Sequence, residues 1–319
     1  MEKAGKLALV FPGQGCQFVG MGADLYESFP EAREVYDQAD EILGFSLTQL
    51  CFTGPAEALN DTANTQPAIY TTTMALWRAL APRLEELRPQ IAFAAGHSLG
   101  EFVALTVAGA LRFEDGLRVV RVRGEAMRDA VADSPGGMAA IIGLSDEQVA
   151  EVIAEAGGAE AGIWAANYNS PGQVVIAGRK EALERALAIA KEHKAKRAIP
   201  LAVSVPCHTP LMATAAERLA QVLEQVPWQQ PWVPVVCNAE AAPLREPAAI
   251  KQALLRQLTS PVRWVESVQA MVQGGVGKVL EVGPKAVVSG LIRRIGGLRL
   301  YSVTDAAGVE ALDAKELAE

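Results

Sequence analysis

The pentapeptide Gly96-His97-Ser98-Leu99-Gly100 fits the pattern G-x-S-x-G and constrains this chain more than any other feature. A short apolar run, Ile91 to Ala95, precedes it, and EFVALTVAGA follows it. The first reads as a buried strand and the second as a helix of small and apolar residues ending near Ala110. In a nucleophile elbow the serine sits on a strained turn between strand and helix, and the flanking glycines let backbone approach without Cβ clashes. The competing reading is a tight turn whose serine merely caps the helix. Either way, strand, turn and apolar helix in this order predict a layered α/β core.

The rest of the chain supports that core. Leu7 to Phe11 reads as a strand running into a glycine-rich turn, and helices are expected from Pro30 to Leu43 and from about Thr65 to Leu84. From about Gly137 the pattern changes to strand, helix, two short strands around Asn169-Ser170-Pro171-Gly172, helix and strand, ending with a strand from Arg197 to Val203. That β-α-β-β-α-β order is the ferredoxin-like unit. We therefore expect a large α/β-hydrolase-like domain with a parallel-sheet core (residues 1–128 and 205–319) and an inserted ferredoxin-like subdomain (residues 129–204). The last fifteen or so residues are charged and alanine-rich and are expected to fray.

Composition excludes several classes. Lys and Arg total 29 against 37 Asp and Glu, a net charge of −8, which argues against phosphate-backbone binding and so against nucleic acid. No stretch has the apolar length to span a bilayer, and the five-residue apolar run near the start is too short for a secretory signal. The four cysteines show no C-x-x-C spacing, so no zinc or redox motif is suggested, and a reduced cytoplasmic protein is the simplest expectation.

A nucleophilic serine needs a base, and the chain has only three histidines. His97 adjoins Ser98 on a tight turn, where neighbouring side chains diverge. His193 lies in the solvated sequence Lys191-Glu192-His193-Lys194. His208 follows an apolar segment at the seam between the two expected folding units, and elimination favours it. No third member is evident: Asp115, Asp129, Asp133 and Asp146 lie between Ser98 and His208, but none follows a clear buried strand, and a backbone carbonyl or amide could orient the imidazole instead.

Arg123 sits in a helix expected from Glu114 to Arg128, with Val119, Val120, Ala126 and Met127 as helical neighbours. A guanidinium on an apolar face requires an anion or a dense set of acceptors. An internal salt bridge, a snorkelling side chain and a bidentate clamp on a substrate carboxylate all satisfy that requirement. Arg121, by contrast, lies four residues before Glu125 and suits a solvated ion pair. Phe11-Pro12-Gly13-Gln14-Gly15 is neither a phosphate loop nor a dinucleotide fingerprint. It offers backbone N–H groups that can point into a cleft, as an oxyanion hole requires.

Several segments together resemble the acyltransferases of fatty-acid and polyketide synthesis, the malonyl-CoA:acyl carrier protein transacylases. They are LVFPGQG near the start, NTQPAI at 64–69, GHSLGE at 96–101, VRGEAM at 122–127, NYNSPGQVVIAG at 167–178, SVPCHTPLM at 204–212, QLTSPVRW at 257–264 and LEVGP at 280–284. The resemblance implies Ser98 as nucleophile, His208 as base, and Arg123 as the residue that binds the malonyl carboxylate. It implies the backbone N–H groups of Gln14 and Leu99 as the oxyanion hole. Gln257 matches the residue whose backbone carbonyl orients the histidine, and Asn169 matches an asparagine lining the cleft. Cys207 departs from the serine or phenylalanine common at its position and bears on acyl selectivity.

The expected reaction is ping-pong transfer of malonyl from malonyl-CoA to the phosphopantetheine thiol of acyl carrier protein, with no metal or organic cofactor, by a monomer. The same chemistry would serve a trans-acting polyketide-synthase acyltransferase or the malonyl transferase of malonate decarboxylase. A thioesterase or lipase is disfavoured by Arg123 and by the absent late acid, and a non-catalytic scaffold by the intact Ser98 and His208. Carrier proteins are acidic, so docking is expected at a local basic patch: Lys285, Arg293 and Arg294, or Lys191, Lys194 and Lys196.

Overall fold

A computed structural model describes residues 5–133, 135–203 and 205–318, with only the backbone of 131–133. Ten strands are formed among them: β1 (Lys6–Phe11), β2 (Ile91–Gly96), β3 (Gly136–Ile142), β4 (Ile163–Ser170), β5 (Gln173–Arg179), β6 (Arg197–Pro200), β7 (Val235–Cys237), β8 (Ala242–Leu244), β9 (Val276–Val282) and β10 (Arg299–Val303). The α-helices of eight or more residues are α1 (Pro30–Leu43), α2 (Thr62–Leu80), α3 (Gly100–Val107), α4 (Phe113–Asp133), α5 (Asp146–Glu155), α6 (Lys180–Glu192), α7 (Ala213–Gln225), α8 (Pro247–Gln257), α9 (Trp264–Gln273) and α10 (Val288–Ile295).

Six strands form one sheet in the order β10-β9-β1-β2-β7-β8. All its pairings are parallel except β7 with β8. The run Leu7–Phe11 is apolar throughout because both faces of β1 are covered. Leu7, Leu9 and Phe11 join the core that contains Tyr70 and Phe102, while Ala8 and Val10 pack with Trp264, Val268 and Ile292. The remaining four strands form an antiparallel sheet, β4-β5-β3-β6, crossed by α5 and α6. Its apolar cluster is its own, including Ile141, Val152, Ile163, Ile176 and Ala186. Strand order and crossovers are those of the ferredoxin-like unit. The two layers are stitched where Tyr168 N–H donates to the Val262 carbonyl at 2.9 Å and Val262 N–H to that of Ala166 at 2.9 Å.

Two local features bring α4 close to α2. Pro67 lies inside α2 and has no N–H, so the Ala63 carbonyl one turn earlier loses its helical donor. Arg121 Nη1 donates to that carbonyl at 3.0 Å, in addition to its 2.7 Å ion pair with Glu125. Gly124 faces the same turn, where a Cβ would stand 2.6 Å from the Thr62 carbonyl oxygen. A side chain there would push α4 away and carry the adjacent Arg123 with it.

Two expectations are corrected. The strand expected over Arg197 to Val203 ends at Pro200, although Leu201 N–H still donates to the Met138 carbonyl. The C-terminal residues up to Ala318 do not fray. They form helices Ala306–Ala311 and Ala314–Ala318, Leu317 is fully buried, and the buried Lys278 ammonium donates to the Leu317 carbonyl at 2.6 Å.

Candidate active site

Ser98 occupies the turn between β2 and α3 with φ +52°, a left-handed conformation rare for a residue with a side chain. The glycines on either side are sterically required. A Cβ on Gly96 would overlap the backbone of Gly100, and one on Gly100 would overlap the Phe11 carbonyl. Asn238, just past β7, braces the turn: its Oδ1 accepts from Ser98 N–H at 2.7 Å and its Nδ2 donates to the Gly96 carbonyl at 2.7 Å. This bracing by a side chain from another strand helps hold the strained φ.

The Ser98 hydroxyl lies 2.8 Å from His208 Nε2. Nδ1 of the same ring lies 2.9 Å from the Gln257 carbonyl oxygen, at the end of α8. A carbonyl only accepts, so Nδ1 carries the proton and Nε2 is left as the acceptor facing Ser98. Burial, and after it the charge of Arg123, push His208 down to about 3, so the imidazole is neutral at physiological pH. The other two histidines are spent elsewhere. His97 Nε2 lies 2.8 Å from Asn169 Oδ1 and its ring meets Trp264 edge to face, while His193 pairs with Glu155 at 3.0 Å on the surface.

The aspartates between Ser98 and His208 supply no third member. Asp115 pairs with Arg112 at 2.7 Å and Asp129 with Arg218 at 2.8 Å, and Asp146 is exposed. The side chain of Asp133 is outside the described residues.

Arg123 is buried to 1% exposure and has no carboxylate within 4 Å among the described residues. Its Nη1 donates to Gln66 Oε1 at 2.8 Å, and its Nη2 to Gln257 Oε1 at 3.0 Å and to Ser98 Oγ at 3.1 Å. Nε has no acceptor among the described residues. Burial lowers the guanidinium to about 10, so it remains charged at neutral pH. The internal salt bridge considered from the sequence is therefore absent here. A buried cation held only by neutral acceptors, with its fork beside the hydroxyl of Ser98, is arranged to receive an anion.

The N–H groups around Ser98 are also accounted for. That of Ser98 is taken by Asn238, and that of Gly15 by Gln17 Oε1 at 2.8 Å. Those of Gln14 and Leu99 have no acceptor among the described residues. Ser98, His208, Arg123, Gln14 and Leu99 open on one cleft of about 260 Å³. Gln14, His97, Ser98, Leu99, Arg123 and His208 line its floor, Asn169 and Val175 come from the antiparallel sheet, and Val287, Val288 and Leu291 come from the start of α10. No cluster of three or more His, Cys, Asp or Glu side chains that could hold a metal occurs among the described residues.

Residues 8–304 match the acyl transferase domain. The chain belongs to the acyl transferase family. It is 47% identical over 309 residues to the malonyl CoA-acyl carrier protein transacylase of Haemophilus influenzae, covering 97% of this chain and 98% of that protein. Among solved structures it resembles an acyl carrier protein S-malonyltransferase from Vibrio cholerae, with TM-score 0.90, 45% identity, and 97% and 100% of the two chains covered. It also resembles a malonyl-transacylase in complex with a type II PKS acyl-carrier protein, with TM-score 0.91, 44% identity, and 96% and 98% covered.

In this acyltransferase the structure brings together seven residues singled out from sequence: Ser98, His208, Arg123, Gln14, Leu99 and Asn169 line the cleft, and Gln257 bonds His208 and Arg123. Three others escaped sequence reasoning. Gln66, inside the NTQPAI segment, holds one arm of Arg123. Asn238 braces the elbow from a distant strand. Glu101, the last residue of GHSLGE, is a buried carboxylate on α3. Only Glu101 left a signal in the sequence, as a charge at the head of the run Phe102 to Ala110, which holds no other charge.

Proposed function

We propose that this acyltransferase transfers a malonyl group from malonyl-CoA to the phosphopantetheine thiol of acyl carrier protein through an ester on Ser98. The observation that carries the reading is the position of Ser98 Oγ, 2.8 Å from His208 Nε2 and 3.1 Å from Arg123 Nη2. One oxygen is thus served by a base and stands beside a buried cation. In the first half-reaction Ser98 Oγ attacks the thioester carbonyl while its proton passes to His208 Nε2. The Gln14 and Leu99 N–H groups stabilise the oxyanion. The C–S bond then breaks and coenzyme A leaves with the proton from His208. In the second half-reaction the carrier thiol attacks the ester, His208 takes the thiol proton, and Ser98 recovers it as the C–O bond breaks. Arg123 pairs with the free carboxylate of the malonyl group and so orients the reacting carbonyl. The electron count is unchanged throughout, so the transfer calls for no redox cofactor.

The cleft is complete within one chain, which favours a monomer, and four buried free thiols favour a reducing cytoplasm. We read residues 129–204 as an inserted subdomain whose Asn169 and Val175 form one wall of the cleft, against residues 1–128 and 205–319. We propose carrier docking at Lys285, Arg293 and Arg294 rather than at Lys191, Lys194 and Lys196, because Val287, Val288 and Leu291 of the first segment line the cleft. The decisive measurement is intact mass after mixing with malonyl-CoA, with and without carrier protein. A malonyl adduct that Ser98→Ala abolishes, and that carrier discharges, supports the reading. An adduct surviving in Ser98→Ala refutes it, and discharge to water alone would make the protein a hydrolase.

A further inference from the structure

Glu101 takes no part in the transfer described above, yet its side chain is buried beside it. It stands on the first turn of α3, three residues after Ser98, followed by Phe102, Val103, Ala104 and Leu105. A carboxylate in such surroundings is costly unless its hydrogen bonds repay the lost water. Burial pushes this one up to about 7, with nearby Glu240 acting in the same direction and the bonds from Gln257 and Asn238 opposing.

Its Oε2 accepts two hydrogen bonds, from Gln257 Nε2 at 2.9 Å and from the Asn238 backbone N–H at 3.1 Å. Gln257 Nε2 commits its other hydrogen to the Ser98 carbonyl at 3.0 Å. With both amide hydrogens taken, Gln257 Oε1 faces the opposite way and receives Arg123 Nη2 at 3.0 Å. Because Oε2 accepts from two N–H groups at once, any proton Glu101 carries sits on Oε1, and turning the Gln257 amide over would set oxygen against oxygen at both Glu101 and Ser98. The buried carboxylate and the buried guanidinium are thus joined through one amide, with its nitrogen toward the anion and its oxygen toward the cation.

We propose that Glu101 is a positioning residue that locks the Gln257 carboxamide with its oxygen toward Arg123 and thereby aims the guanidinium at the carboxylate of the acyl group. This rests on the malonyl-transfer reading. It predicts an effect on acyl selectivity rather than on acylation as such, because His208 is held by the Gln257 backbone, which the lock does not touch.

The test is the rate of acyl-enzyme formation from malonyl-CoA and from acetyl-CoA, followed by rapid-quench intact mass. Glu101→Ala should lower the malonyl-to-acetyl ratio about 10- to 100-fold, the worth of a hydrogen-bonded charged group. Glu101→Gln offers an amide oxygen to the same two donors and should return the ratio to within about threefold of wild type. In a Gln257→Leu background, Glu101→Ala should lower the ratio no further. An unchanged ratio in Glu101→Ala overturns the proposal, as does a Gln variant as poor as the Ala variant, or a full Glu101 effect without the Gln257 amide. If Glu101→Ala does not fold, Gln257→Leu alone decides: the ratio must fall about 10- to 100-fold with Glu101 intact, and an unchanged ratio overturns the proposal. A wild-type protein that takes no malonyl group would refute the transfer reading itself, whereas one that does, with ratios unmoved by these variants, refutes only the role of Glu101.

Discussion

His208 Nδ1 meets the backbone carbonyl of Gln257 at 2.9 Å, so the base is oriented by a group that no side-chain substitution removes. A carbonyl fixes the tautomer as a carboxylate would, but adds no full negative charge to stabilise the imidazolium. The two halves of Gln257 are therefore separable: the backbone serves the base and the side chain serves Arg123. His208→Ala should slow formation of the malonyl adduct by about two to four powers of ten, whereas His193→Ala, on the surface, should change it less than about twofold. Single-turnover intact-mass kinetics checks both, and equal losses would remove His208 from the role of base.

The depressed basicity of His208 gives a pH prediction. An imidazole pushed down to about 3 stays neutral as the pH falls through the ordinary imidazole range. Acylation from acetyl-CoA, which does not draw on the link from Glu101 through Gln257 to Arg123, should therefore be flat between about pH 5 and 8, with no inflection near 6.5. Arg123 is the second cause of the depression, after burial, and its positive charge disfavours imidazolium. Arg123→Ala should move the acid limb to higher pH, which acetyl-CoA acylation can report. An acid limb that stays put or moves to lower pH would show that the two groups are not electrostatically coupled.

Glu101 gives a stability prediction of opposite sense. Its carboxyl ionises near 4.5 when unfolded and near 7 when folded, so the unfolded state releases its proton first as pH rises. The associated stability is full below 4.5 and is lost as pH rises through 7, by about 3 kcal/mol. Glu101→Gln has no such loss. Its melting temperature relative to wild type should therefore rise between pH 4.5 and pH 8, and a difference independent of pH would contradict the raised ionisation.

The elbow was legible in the sequence because its requirements are local. Gly96 and Gly100 must lack Cβ atoms, and the strand and helix around them follow from short-range pattern. His208 came from scarcity, and Arg123 from its place on an apolar helical face. What the sequence hid was set by long-range contact. Asn238 lies 140 residues from Ser98 and reads as an ordinary polar residue after a strand. Gln66 is a helical glutamine until α4 packs against it. The C-terminal helices were misjudged because Ala and charge dominate the local composition, while Leu317 and the partner of Lys278 decide the outcome.

That C-terminal anchor is testable apart from catalysis. Lys278→Met keeps most of the side-chain volume and leaves the Leu317 carbonyl without its donor. Losing a charged hydrogen bond in a buried setting costs about 1.5–3 kcal/mol. For a chain of this size that lowers the melting temperature by roughly 2–5 °C. The malonyl adduct should form at an unchanged rate, and an unchanged melting temperature would mean the terminal helices contribute nothing to the fold.

Selectivity for a carboxylate-bearing acyl group rests on Arg123. Its guanidinium is buried, has no carboxylate partner among the described residues, and holds its Nη2 3.1 Å from the nucleophile. A malonyl carboxylate would bring the missing charge and a two-oxygen fork that matches the guanidinium. Charge-assisted bonds contribute about 1.5–3 kcal/mol each, so a bidentate pair is on the order of 3–5 kcal/mol. Arg123→Ala should lower malonyl transfer by roughly two to four powers of ten. Arg123→Lys keeps the charge but not the fork and should recover only part of that loss. Acetyl-CoA has no carboxylate, and its transfer should fall little or rise, since removing the buried cation relieves the depression of His208. The quantity to measure is the ratio of malonyl to acetyl rates. Equal depression of both substrates in Arg123→Ala would make Arg123 a support for Gln66, Gln257 and Ser98, and the carboxylate clamp would fail.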